Sequence, residues 1–545
     1  MKSYIKCLEE ISNDELLEGL LGYGMFSEKL PPVFSSVSFY HYWLDELNKN
    51  NNDNERKTHK YICFESMRNN NIPRQFGIPN PFKYAILCEK LYNSWHDILD
   101  KFRENTLGDK HKISRIHIRK LIDNKALIKM DYGDYEDDNV DENDLEDPSD
   151  GGNNDDNIPN SIERDNGDKA LFRMNYKNWK LDGDPITSFF IGKKYVVKAD
   201  ISQCFPSIYT HAISWALVGK STAKKHRGIK EWYNQIDKAC QNMRDGETHG
   251  LLIGPHTSNL ISELILTTVD NQLKSKYKYI RKVDDYTCYV EKYEDAESFL
   301  RDLEFELRKF DLLLNHKKTS IEKLPKCSEE YWTRALKDKS ALWNDKEIGY
   351  NMARSYLDTA IQLMADNGQN ASTIFYAIKI LGGRELNKGA RKYCVKMMCH
   401  LAIIYPYLIP IMDEYVFDKF NASVYDIEKF SKVLYKESLA KKNSEALNYA
   451  IFYAVKYNFT LSVNAKLIID SYNCISKLLA LIYFRMNGDS ESVDKLAKEA
   501  ERLAECDFDE NWLFIYEAVD VSKLKDEWQS LKNAGVSFLL PEYCC

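Results

Sequence analysis

Three aspartates carry the chemical argument. Tyr195-Val-Val-Lys-Ala-Asp200 runs a β-branched stretch into a carboxylate, so a strand end would present Asp200 to a cleft. About 85 residues on, Tyr279-Ile-Arg-Lys-Val283-Asp284-Asp285-Tyr286-Thr-Cys-Tyr-Val290 sets two adjacent carboxylates between two β-prone runs, the pattern of a hairpin turn. Either motif alone is equally an ordinary turn, where Asp is common. Together they say more. Neighbouring carboxylates repel unless a cation neutralises them, and hard oxygen donors suit Mg²⁺. Three of them at strand ends would complete a two-metal site for nucleotidyl transfer.

Two further stretches fit that chemistry. His249-Gly250-Leu-Leu-Ile-Gly254-Pro255-His-Thr-Ser258-Asn259 spaces glycines four apart before a proline. Such a loop lets backbone approach a flat ligand such as a base pair, or is simply a Gly-Pro turn. In Leu312-Leu-Leu-Asn315-His-Lys-Lys318-Thr-Ser-Ile321, lysines follow an amphipathic helix, where one of them can protonate departing pyrophosphate. The solvated lysine pair is the plainer alternative.

The elements that must position these residues divide the chain in three. Residues 1–130 mix helices and loops, with Leu16, Leu17, Leu20 and Leu21 on a helix capped at Ser12 and Asn13. Residues 168–325 hold the strand signals with helical segments between them. Beyond 330 the period is helical throughout, as in Cys394, Met397, Met398 and Leu401, and breaks such as Asn367-Gly368-Gln369-Asn370 predict about ten helices. Their length and periodicity suggest stacked helical hairpins without a crisp repeat. The net charge of −8 conceals an uneven distribution, since residues 131–156 hold thirteen acids and no Lys or Arg, leaving +5 for the remainder. That segment reads as a disordered insertion, either solubilising or competing with nucleic acid for a basic groove. The longest apolar run, 401–412, is too short to span a membrane and contains two prolines. No secretory signal is visible at the start, and thirteen scattered cysteines without a CxxC pair fit a reducing cytoplasm better than a disulfide framework.

The order of the four motifs resembles the reverse-transcriptase palm: a strand with Asp and an aromatic five residues later, a Gly-x-x-x-Gly-Pro turn, an x-x-Asp-Asp hairpin, then Asn-x-x-Lys-Thr. Phe205-Pro-Ser-Ile-Tyr-Thr-His211-Ala-Ile-Ser-Trp215, Gly254-Pro-His-Thr-Ser258 and Gly77-Ile-Pro79-Asn80-Pro81 with Trp95 look like bacterial abortive-infection, AbiK-type reverse transcriptases. The resemblance covers roughly residues 75–335. It implies an α+β fingers–palm over 76–330, interrupted by the acidic insertion at 131–167. An N-terminal helical segment (1–75) would precede it, and an all-α helical-repeat domain (331–545) would stand in place of a thumb.

By the same resemblance Asp200, Asp284 and Asp285 hold two Mg²⁺ ions, with the Ile201 carbonyl as an extra ligand. Phe205 is the gate that favours dNTPs, Gly250, Gly254 and Pro255 support the nascent base pair, and Lys318 is the pyrophosphate acid. Arg173, with Lys169, is the candidate triphosphate contact on charge and position. Lys282 and His249 depart from the usual aromatic and Gln, and neither removes a metal ligand.

The implied activity is DNA polymerisation, RNA-templated or untemplated, in antiviral defence. The implied partners are dNTPs, RNA or single-stranded DNA, a non-coding RNA and a second copy of the chain. Members of that group also prime on protein, and among 35 tyrosines Tyr543 is singled out by its place in Pro541-Glu-Tyr-Cys-Cys545, where a mobile tail would reach the active site. The alternatives are a retron or group II intron-like reverse transcriptase, and a non-catalytic nucleic-acid-binding scaffold. The intact carboxylate triad argues against the scaffold, because a protein that only binds phosphates has no use for clustered negative charge.

Overall fold

A computed structural model of the chain describes residues 4–47, 57–118, 172–173, 185–327, 329–343 and 347–544. The N-terminal part carries helices α1 (Tyr4–Glu9), α2 (Asn13–Leu17) and α3 (Val37–Leu47). Ser12 caps α2 through the Glu15 amide, and the Glu15 carboxylate returns the bond to the Ser12 amide. Leu16, Leu17, Leu20 and Leu21 are all buried, as their spacing predicts.

A strand pair follows that the sequence pattern did not suggest. β1 (Ile62–Met67) and β2 (Pro73–Ile78) form an antiparallel hairpin, with Phe64 opposite Phe76. Its Pro73 and Gly77 mask the strand signal. The hairpin crosses the boundary expected at 75–76 between the N-terminal segment and the fingers–palm. Helices α4 (Pro81–Asn93) and α5 (Trp95–Thr106) come next, α4 capped by Asn80 with Pro81 in its first turn. Short strands β3 (His117–Ile118) and β4 (Phe172–Arg173) pair with each other. The acidic stretch between them, and Lys169, lie outside the described residues.

The palm is a four-stranded antiparallel sheet in the order β6-β7-β5-β8, from β5 (Tyr195–Asp200), β6 (Tyr279–Lys282), β7 (Asp285–Val290) and β8 (Ser320–Lys323). Helix α6 (Ile186–Phe189) precedes β5. After β5 come α7 (Cys204–Ser207), α8 (His211–Val218), α9 (Lys220–Lys225), α10 (Trp232–Asn242) and α11 (His256–Leu273), and after β7 comes α12 (Tyr293–Arg308). Helix α12 presents Ala296, Phe299, Leu303 and Leu307 to β5 and β7. Helix α11 is buried on nearly every face, between α5, α8 and α12. A surface helix shows an apolar stripe, whereas a central one must find partners for each polar group it carries.

Beyond 330 the described residues form helices joined by loops and isolated β-bridges, with the α-helices α13 (Tyr331–Ala341), α14 (Tyr350–Asp366), α15 (Ser372–Gly382), α16 (Lys388–Ile404), α17 (Val424–Lys441), α18 (Ser444–Lys456), α19 (Ala465–Ser471), α20 (Cys474–Met486), α21 (Ser490–Cys506), α22 (Trp512–Ala518) and α23 (Asp526–Asn533). The helical period therefore reads correctly. Among the described residues no helix is long and apolar enough to cross a membrane.

This helical half also returns to the start of the chain. Ser35 donates to the Phe538 carbonyl at 2.9 Å, and Leu540 donates to that of Val33 at 2.9 Å. The expectation of a free C-terminal tail fails here. Tyr543 is only 9% exposed, because the pairing of 538–540 with 33–35 draws the last turn into the core. Its phenol is pushed up to about 12 by burial first, and then by Glu542 and Asp413.

Candidate active site

The strand registers bring the distant aspartates together. β5 and β7 pair with Asp200 directly opposite Asp285, while Lys282 faces Asp285 across the hairpin neck. Asp284 sits in the two-residue turn, and its carbonyl accepts a bond from the Ile201 amide at 3.2 Å. A one-residue slip of β7 would turn Asp285 to the opposite face of the sheet.

Asp200 is held from the far side. Asn315 Nδ2 donates to Oδ1 and Lys318 Nζ to Oδ2, each at 2.9 Å, and the Asn315 amide donates to the Asp200 carbonyl at 2.7 Å. Lys318 lies in the turn that leads into β8, with its side chain 66% exposed against 8% for Asp200. Asn315 belongs to a motif legible in the sequence, but its grip on Asp200 emerges only from the fold.

Burial first, and repulsion from Asp200 second, push the Asp284 carboxyl up to about 6, while Arg74 and Lys318 act the other way. The Asp285 carboxyl is raised by the surrounding cleft walls, then by Asp284 and Asp200. Its side chain still reaches solvent, so the mutual repulsion is the firmer cause. Among the described residues no three His, Cys, Asp or Glu side chains are already gathered as a metal cage. The donor set nevertheless fits a divalent cation. Asp284 and Asp285, which hold protons above their ordinary range beside Asp200, are groups that a hard dication would deprotonate and draw together with it.

The glycine loop lies against the turn after β5. Leu251 donates to the Phe205 carbonyl and Gly250 to that of Ile208, both at 2.8 Å, and Tyr209 bridges to His249. Phe205 is 9% exposed, on α7. Gly250 has φ +89°, and a Cβ there would strike the Arg244 guanidinium and come within 3.0 Å of the Pro206 carbonyl. Gly254, at φ +127°, would meet the Gly77 carbonyl at 3.3 Å, and Gly77 donates to the Ile253 carbonyl at 2.9 Å. The loop is therefore tied to the β1–β2 hairpin on one side and to α11 on the other, through Pro255 at its N-cap.

That hairpin supplies a residue the sequence reading missed. Arg74 on β2 is close enough to lower the Asp284 carboxyl's proton affinity. Nothing in Pro-Arg-Gln-Phe marks it, because only the folded hairpin brings it to the cleft. Arg173 lies on β4 opposite His117, and the triphosphate role expected of it gains no further support from that placement.

Residues 186–349 match the family model for reverse transcriptase (RNA-dependent DNA polymerase). No curated protein matches the chain in sequence. Among solved structures, telomerase from Candida albicans in complex with a TWJ fragment of telomeric RNA is similar at 10% identity and a TM-score of 0.18, over 47% of this chain and 49% of that one. Apo telomerase from Candida tropicalis is similar at 10% identity and a TM-score of 0.30, over 80% of this chain and 73% of that one. The chain thus spans about half the length of the first of these structures. Reverse-transcriptase domains generally use divalent metal ions. The family match runs from α6 through all four strands of the sheet β6-β7-β5-β8, and this part of the chain is a domain of the reverse-transcriptase type.

Proposed function

We propose that the chain polymerises dNTPs by two-metal nucleotidyl transfer at Asp200, Asp284 and Asp285. The observation that carries this reading is the register of β5 on β7, which sets Asp200 against Asp285 with Asp284 in the adjoining turn. Two Mg²⁺ ions bound there would activate a 3′-hydroxyl and neutralise the leaving pyrophosphate. Asn315 keeps Asp200 oriented, and the Ile201 carbonyl is a further oxygen donor beside it. Lys318, exposed and donating to Asp200, would pass a proton to pyrophosphate. Arg74 offsets triphosphate charge from the fingers side. Gly250, Gly254 and Pro255 present bare backbone to the base pair, and Phe205 stands as the sugar gate.

Purified protein incubated with labelled dNTPs and Mg²⁺, with and without an RNA template, tests the reading. A DNase-sensitive product that disappears with Asp285→Asn is expected. Incorporation that survives the Asp284→Asn, Asp285→Asn double substitution would overturn the site.

The biological role we infer is antiviral defence of the abortive-infection kind, supported by the residues quoted above around Phe205, Gly254 and Gly77. Template-free synthesis, a non-coding RNA partner, self-association and priming on protein belong to the same proposal. Priming on Tyr543 requires the buried last turn to leave the core. Phage plating on bacteria that carry the wild-type or the Asp285→Asn chain tests the defence role. Mass spectrometry of nuclease-trimmed product tests for a nucleotide on tyrosine.

A further inference from the structure

We propose that Arg281 is a positioning residue for the carboxylate hairpin, and that Tyr4 of the N-terminal helix belongs to the same device. The inference rests on the polymerase reading above. It begins with a local conflict, because Val283, the first residue of the two-residue turn, has φ +54°. That place in a tight hairpin favours Gly or Asn, and a β-branched side chain is among the least suited to it. The turn therefore does not hold this shape by its own preference.

Arg281 supplies the missing restraint. Its Nη1 donates to the Val283 carbonyl at 2.8 Å and to Glu263 Oε2 at 2.9 Å. Its Nε donates to Asp270 Oδ2 at 2.8 Å, with Nη2 equally close to that oxygen but less well aligned. The backbone of Arg281 is engaged as well, accepting from Arg115 and donating to Ile113, each at 2.9 Å. Both acids come from α11, seven residues and thus about two turns apart, so they share one helix face. Each acid has its own keeper: Tyr4 donates to Glu263 Oε1 at 2.6 Å, and Tyr279 donates to Asp270 Oδ1 at 3.0 Å. The Arg281 and Glu263 side chains are fully buried, and that of Asp270 is 6% exposed.

A buried triad of charges is a poor way to gain stability, since well-packed apolar residues of equal volume commonly do as well or better. What the triad provides is geometry. The guanidinium fork is rigid, and it fixes the turn carbonyl relative to α11. The same helix starts at Pro255, at the end of the glycine loop. One rigid body thus sets the spacing between the loop that faces the base pair and the turn that carries Asp284.

The test compares Arg281→Met, Arg281→Lys and Tyr4→Phe with wild type in four measurements. These are melting temperature, kcat and KM for dNTP, Mg²⁺ binding by calorimetry, and hydrogen exchange of the 279–290 amides. Arg281→Met, which leaves Glu263 and Asp270 buried without their cation, is expected to melt at a lower temperature, with the turn amides exchanging faster and kcat down about 100-fold at unchanged KM, as for a small misplacement of reacting groups. Arg281→Lys should recover part of the loss. Tyr4→Phe, which leaves a buried Glu263 oxygen without its donor, should lower kcat about tenfold with only a modest fall in melting temperature. If Arg281→Met does not fold, Tyr4→Phe carries the decision alone. Wild-type exchange at the turn and wild-type kcat in a folded variant would overturn the proposal. If wild type itself incorporates no nucleotide, the polymerase reading fails, and the exchange and Mg²⁺ measurements still decide whether Arg281 holds the turn.

Discussion

At the scale of single residues, the site is a set of charges held in tension. The three aspartates repel one another, and Lys318, Asn315 and Arg74 moderate the repulsion from the protein side. Anything that binds the folded chain alone stabilises it. Mg²⁺ is therefore expected to raise the melting temperature of wild type and to leave that of the Asp284→Asn, Asp285→Asn variant almost unmoved. A thermal melt with and without the ion checks this. Phe205 makes a second residue-scale prediction. Phe205→Ala opens space where a 2′-hydroxyl would otherwise clash, so the rNTP-to-dNTP incorporation ratio should rise. Discrimination by pocket shape for a single small group is worth about 1–3 kcal/mol, which gives a change of ten- to about 200-fold. Competition between labelled rNTP and dNTP measures it, and an unchanged ratio removes Phe205 as the gate.

At the scale of elements, the helical half grips the β1–β2 hairpin through a buried acid. Glu445 on α18 accepts from Ser66 Oγ at 2.5 Å and from the Met67 amide at 2.8 Å, at the end of β1. Burial pushes this carboxyl from 4.5 up to about 7, partly offset by those two bonds. In the unfolded chain the acid keeps its ordinary value, so between pH 4.5 and about 7 the folded state holds the extra proton. Stability from this group is then complete at low pH and lost as pH rises through the folded value. Glu445→Gln keeps a side-chain acceptor for the clamp without the titration. The fall in wild-type melting temperature across that window should flatten in the variant. Parallel melting curves from pH 5 to 8 would show that Glu445 does not titrate there.

At the scale of the whole molecule, the two ends of the chain close on a shared aromatic core. Phe538 is fully buried, with its ring centroid 4.9 Å from Trp512, 5.4 Å from Tyr516 and 5.5 Å from Phe39. Truncating a buried phenylalanine costs about 3–5 kcal/mol. Phe538→Ala should therefore lower global stability by that amount in a denaturant titration and loosen the N-terminal segment along with the C-terminal helices. Effects confined to α22 and α23 would mean that the ends are not coupled. The N-terminal segment, the β1–β2 hairpin and the helical half are thus linked through Phe538, Glu445 and the His59–Asp509 pair at 2.9 Å.

The sequence by itself determined the carboxylate motifs, their order, the glycine loop and the helical character of the second half. These are local patterns: β-branched runs, turn residues and a 3.6-residue period are set by each residue's own sterics and by which face it buries. Only the tertiary structure decided who meets whom. The opposition of Asp200 and Asp285 depends on strand register, and Arg74 reaches the cleft through a hairpin hidden behind Pro73 and Gly77. Arg281 reads as a strand lysine's neighbour until α11 is laid beneath it. Tyr543, mobile by position along the chain, is buried because residues 538–540 pair with 33–35. Such contacts join residues up to some 500 positions apart, and their energy comes from burial and pairing that no local window contains.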